Sequence, residues 1–76
     1  MVIDLIVTKT NDGFTAEVPS IKGCESWAHD EDQVIEKILD LSSFYLQIPV
    51  KELKIDRARR ENNKIIFKLI FDKNQI

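Results

Sequence analysis

One cysteine and one histidine occur among 76 residues. Cys24 therefore cannot close an internal disulfide, and a zinc site would have to be built almost wholly from carboxylates, which that ion seldom accepts. The two glycines, Gly13 and Gly23, exclude a glycine-rich phosphate loop. No run approaches the roughly 20 apolar residues of a membrane-spanning helix. Met1-Val2-Ile3-Asp4 lacks the basic residues and long apolar stretch of a secretion signal, so the expected location is cytoplasmic. Internal repeats and low-complexity segments are lacking as well.

What is present suits a folded domain. Hydrophobic residues make up 43% of the chain and charged residues 32%, ordinary proportions for a globular protein. The length allows one domain over residues 1–76, and a domain of this size buries only ~60% of the surface its unfolded chain exposes. A partner subunit would widen that thin margin. The net charge of -2 hides an asymmetry: residues 1–50 carry nine acidic side chains against three basic ones, and residues 51–76 eight basic against four acidic. Such a split suits head-to-tail or dimeric complementarity, or docking of a basic protein on the acidic half.

Alternation marks the strands. Ile3, Leu5 and Val7 share one face and Val2 and Ile6 the other, as in a central strand covered partly on both sides. Asn11-Asp12-Gly13 supplies residues that tolerate positive φ in a tight hairpin. Phe14, Ala16 and Val18 share a face on the returning strand, which Pro19 ends for want of an N–H. Gly23 is expected at a turn that a side chain would obstruct. A short third strand directs Cys24, Ser26 and Ala28 one way and Glu25 and Trp27 the other, completing an antiparallel meander.

A helix follows. Asp30 is a good N-cap, Gln33 is placed for a capping box, and Asp30, Glu31 and Asp32 put negative charge beside the first turn's free N–H groups. Val34, Ile35, Ile38, Leu39, Leu41, Phe44 and Tyr45 form a broad apolar band at helical spacing. Ile48-Pro49 ends it. Residues 50–61 read as a half-exposed strand, although their Lys, Glu, Arg and Ala also suit a helix. Asn62-Asn63 makes a turn. Lys64–Asp72 is a strand with Ile65, Phe67, Leu69 and Phe71 on one face and Ile66, Lys68 and Ile70 on the other. A strand after the helix is expected to return beside the first one, parallel to it, through a right-handed crossover. The expected fold is α+β: a small, mainly antiparallel sheet of four or five strands with one long helix on one face, in the order β-β-β-α-β(-β).

The chemistry-bearing residues point to binding rather than catalysis, and no cofactor or metal is implied. Asp4 could serve a metal-dependent nuclease only with converging carboxylates, for which the pattern offers no convincing companions. Asp32, Glu36 and Asp40 recur every four residues as a like-charged helix stripe, a candidate partner-binding surface or simply a solvated face. His29 has no activated nucleophile around it, and Cys24 reads as buried and inert. Arg57, Arg59 and Arg60, with Lys64 nearby, are candidate nucleic-acid contacts, Arg57 and Arg59 sharing a strand face. They lack the aromatic platforms or recognition helix of a dedicated site.

The segment Phe14-Thr15-Ala16-Glu17-Val18-Pro19-Ser20-Ile21-Lys22-Gly23-Cys24, followed by Ala28-His29-Asp30-Glu31-Asp32-Gln33-Val34, resembles the HicB-like antitoxin family. Members show a hydrophobic strand, a Val-Pro-x-hydrophobic-x-Gly-Cys turn and a Gly-Asp-Thr helix start. The resemblance implies a partial ribonuclease-H-like fold, homodimers, and neutralisation of a small basic toxin that cleaves messenger RNA. Pro19, Gly23 and Cys24 would be scaffold residues of the turn, and Asp30 would cap the helix where the family usually has threonine. Many members carry a further DNA-binding domain. This chain ends shortly after Phe71, so operator DNA is not an expected ligand. The function implied is that of a non-catalytic antitoxin-type protein masking a toxin or another protein, with a residual metal-dependent nuclease or a weak nucleic-acid binder as alternatives.

Overall fold

The alternating stretches form five strands and the capped stretch one helix, in a computed structural model that describes residues 1–72. In chain order these are β1 (Val2–Lys9), β2 (Phe14–Glu17), β3 (Glu25–Ala28), α1 (Glu31–Leu46), a single 3-10 turn (Val50–Glu52), β4 (Lys54–Glu61) and β5 (Lys64–Ile70). The sheet order is β3-β2-β1-β5-β4, and every neighbouring pair is antiparallel. The fold is thus the expected α+β arrangement. No helix of the described residues is long and apolar enough to cross a membrane.

One topological expectation is corrected. The strand bordering β1 beyond the meander is β5, and it runs antiparallel, pairing Ile3 with Leu69 and Leu5 with Phe67. The crossover helix does deliver a strand parallel to β1, but that strand is β4, one place further out. Asn62 and Asn63 join β4 to β5 so tightly that the two must stay adjacent. Placing β5 inside buries Ile65, Phe67 and Leu69, and leaves the charged β4 at the edge, where charge discourages unwanted pairing.

Local chemistry explains each boundary. Asp30 accepts a 2.8 Å bond from the Gln33 backbone N–H. The return bond of a capping box from the Gln33 side chain is not formed among the described residues. Gln47 closes α1 in the left-handed region (φ 57), with its N–H on the Ser43 carbonyl. Pro19 opens a turn in which the Ile21 N–H bonds to the Val18 carbonyl at 2.9 Å. Asn62 takes φ 50 at the β4–β5 turn, and the Asn63 side chain donates to the Lys9 carbonyl, fastening the hairpin tip to β1.

The glycines exchange their expected reasons. Asn11, Asp12 and Gly13 all have negative φ; the β1–β2 connection is closed instead by the Thr10 N–H on the Gly13 carbonyl at 2.8 Å. A Cβ on Gly13 would lie 2.5 Å from the Ala28 carbonyl oxygen and 2.8 Å from the Trp27 ring, so close approach is what demands glycine there. At Gly23 a Cβ would meet only the Tyr45 hydroxyl at 3.4 Å; the requirement is its φ of +82.

Beneath α1 the sheet is dry. Leu5, Val34, Ile38 and Leu69 have no exposed surface, and each fully buried side chain of this size contributes about 1.5–3 kcal/mol. The small side chains Ala16, Cys24 and Ala28 let the helix settle close to β2 and β3. A second cluster, Ile48, Leu53, Leu69 and Phe71, lies below the helix C-terminus. The Met1 amino group closes that end through a 2.6 Å bond to the Phe71 carbonyl.

Candidate functional site

The outer face of α1 carries the first candidate surface. Asp32, Glu36 and Asp40 are all exposed, one helical turn apart, and none has an ion-pair or hydrogen-bond partner among the described residues. Phe44 continues the same four-residue step and is 74% exposed. Its placement corrects the apolar band read from spacing, because Phe44 lies beside the acidic stripe and not over the core. Tyr45 turns toward the β2–β3 connection and meets Phe44 edge to face at 5.6 Å. These four residues, three steps of four, make a ridge about 18 Å long at 1.5 Å per residue, anionic over about its first two turns and aromatic at its end.

The arginines do not form one surface. A β-bulge lies between Arg57, opposite Phe67, and Arg59, opposite Ile66. The expectation that Arg57 and Arg59 share a face is therefore overturned: the extra residue, Ala58, reverses the phase, so Arg57 and Arg60 point to the helix side and Arg59 to the opposite one. Arg57 reaches Glu31 at 3.4 Å and sits 5.5 Å over the Phe67 ring. Arg59 bonds to Glu61 at 2.6 Å. Arg60 lines a depression of about 360 Å³ with Lys9, Glu31, Asn62 and Asn63. Lys64 lies across from Glu61 at the hairpin end. These cations are divided between two faces and two are already paired, an arrangement unlike a continuous phosphate track.

Asp4 points away from the helix and pairs with Lys68 at 2.5 Å. Lys68 separates it from Asp56 in the same cross-strand row. No group of three or more His, Cys, Asp or Glu side chains among the described residues is placed to hold a metal. Cys24 lies on the helix side, where its Sγ meets the Ser42 Oγ at 3.5 Å and Ser42 donates to the Ile38 carbonyl at 2.7 Å. Burial pushes the Cys24 thiol above its ordinary value of 9.0, and the Ser42 contact partly offsets that rise. His29 is exposed and stacks edge-on against Trp27 at 4.7 Å, so the two chemically versatile side chains have separate surroundings. Pro19, Gly23, Asp30 and Gln33 serve the turn and the cap and line no site.

The sheet face opposite α1 was not singled out by residue type. Cross-strand register builds one row of Glu25, Glu17, Ile6, Ile66 and Arg59, with acid on one arm, apolar residues at the centre and a base on the other arm. Alternation places each residue on this face, but the order of strands decides who stands beside whom. Against family models, curated proteins and solved structures, nothing matches the chain. The likeness to the HicB-like family thus stands on the quoted residues alone.

Proposed function

We propose that this protein is a non-catalytic, HicB-like antitoxin-type binding module that covers a basic surface on a small RNA-cleaving toxin or a similar basic protein. The observation that carries this reading is the α1 ridge: three unpartnered carboxylates leading to an exposed Phe44. Like charges at four-residue spacing cost a helix a few tenths of a kcal/mol per pair, a penalty that a cationic partner removes. An aromatic side chain at the end of a charged strip is the kind of anchor on which interface energy concentrates. Masking requires only that the ridge occupy the partner's RNA-contacting cations, so no bond is made or broken by this chain.

The test starts from the neighbouring reading frame, which this reading expects to encode a small basic protein that cleaves RNA; an unrelated neighbour counts against it. The basic protein's cleavage of RNA should stop at stoichiometric addition of the wild-type chain, and the binding should weaken with salt as expected for charge steering. The D32K/E36K/D40K variant should lose at least about 100-fold in affinity, and Phe44→Ala about tenfold. Full inhibition by the triple variant, or none by the wild type, would contradict the proposal.

A further inference from the structure

We propose that the corner of the fold beyond the N-terminal end of α1 is a binding site for a free nucleoside monophosphate, built by Lys9, Arg60, Glu31 and Asn62 over a floor of Phe14 and Ile65. α1 lies chiefly over β2 and β3, so the helix side of β1 and β5 near the β4–β5 turn is bordered by long side chains rather than by helix. A depression of about 360 Å³ results, toward the lower end of the about 300–1,000 Å³ usual for small-ligand sites. Two bonds fix its frame. The Lys9 N–H donates to the Asn63 carbonyl at 2.8 Å, and the Asn63 side-chain amide donates to the Lys9 carbonyl at 3.2 Å.

Each part of that ligand has a counterpart among these side chains. Lys9 and Arg60 are exposed, and neither cationic head has a partner among the described residues. Glu31 lines the same depression but is neutralised by Arg57 at 3.4 Å, which leaves an excess of two positive charges. A phosphomonoester carries about two negative charges near pH 7 and three acceptor oxygens, a match for two such donors. Beside them the Glu31 carboxylate accepts from ribose hydroxyls, and the Asn62 amide, unpartnered among the described residues, offers a donor and an acceptor to a base edge. The half-buried Phe14 ring and Ile65 give the base an apolar surface to lie on. Inorganic phosphate would use the cations alone, and an aromatic carboxylate would leave one of them unmatched. Asp12 in the β1–β2 loop and Asp30 at the start of α1 border the depression and repel the further phosphates of a longer strand. This corner is separate from the acidic ridge of α1, and the site does not depend on the antitoxin reading.

Amide shift titration of the wild-type chain with each of the four ribonucleoside 5′-monophosphates tests the site. At least one should bind with a dissociation constant of about 100 µM and shift Lys9, Phe14, Glu31, Arg60 and Asn62. The same nucleoside without its phosphate, and inorganic phosphate alone, should each bind at least about tenfold more weakly. Lys9→Gln and Arg60→Gln should each cost about tenfold, with circular dichroism unchanged because both positions are exposed. Arg59→Gln, on the opposite face, should leave binding as it is. Absence of binding by all four nucleotides at about 1 mM overturns the proposal. So do equal affinity for inorganic phosphate, undiminished binding by the K9Q/R60Q variant, or tighter binding of a 5′-phosphorylated RNA hexamer than of the mononucleotide.

Discussion

The two faces of the sheet are made from the same strands and differ in almost every physical respect. Under α1 the residues are apolar, close-packed and without exposed surface: Leu5, Val7, Ala16, Val18 and Leu69 are each at most 1% exposed. On the other side, Asp4, Glu17, Glu25, Lys68 and Arg59 surround a short apolar centre of Ile6 and Ile66. One face accounts for folding. The other carries charge whose arrangement contributes little to an isolated domain, since exposed ion pairs such as Asp4–Lys68 are worth at most about 1 kcal/mol. Placement of charge on that side, and along the outer ridge of α1, is therefore where recognition is sought.

Substitutions can break this contrast. Leu5→Ala removes a fully buried side chain from the face under the helix and should cost about 3–5 kcal/mol in chemical denaturation, whereas Thr15→Ala on the open face should cost under about 1 kcal/mol. Comparable losses at the two positions would erase the distinction. Gly13→Ala should cost about 1–3 kcal/mol, because its Cβ would press on the Ala28 carbonyl, a backbone atom that cannot swing aside. The same change at Gly23 should cost about 1 kcal/mol, through its positive φ alone.

Titration sharpens the comparison further. The folded chain holds the Cys24 proton to higher pH than the unfolded chain does. Stability from this group is complete below 9.0 and is lost as pH rises from there through the folded value, the unfolded state having released its proton first. Unfolding followed from pH 8 to 10.5 should show that decline, and Cys24→Ala should reduce it. The smallest effect belongs to the helix ridge: Glu36→Lys should raise the melting temperature slightly, through a few tenths of a kcal/mol for each like-charge pair relieved.

Strand phase and helix cap were legible from the residues because burial on one side enforces alternation. Ile3, Leu5 and Val7 face the helix, and Asp30 caps it, as their types require. The β4 stretch carries charge at nearly every position, so nothing in Arg57-Ala58-Arg59-Arg60 signals the bulge that sends its arginines to different faces. Phe44 was legible in type but not in direction; its four-residue step from Asp40, more than its hydrophobicity, marks the side of α1 on which it lies. The antiparallel place of β5 was hidden because the crossover rule concerns the strand that leaves the helix, while a two-residue turn decides the strand after it. The pairing of Glu17 with Glu25 and of Asp4 with Lys68 depends on register across four strands, which no local pattern contains.

Amide shift mapping during titration with a small basic ribonuclease that this chain inhibits addresses the claim that recognition uses the α1 ridge, separately from the open sheet face. The predicted result is a set of shifts concentrated at Asp32, Glu36, Asp40 and Phe44, with Glu17 and Arg59 unmoved. Shifts confined to β1, β5 and the charged row across them, with the helix silent, would contradict it.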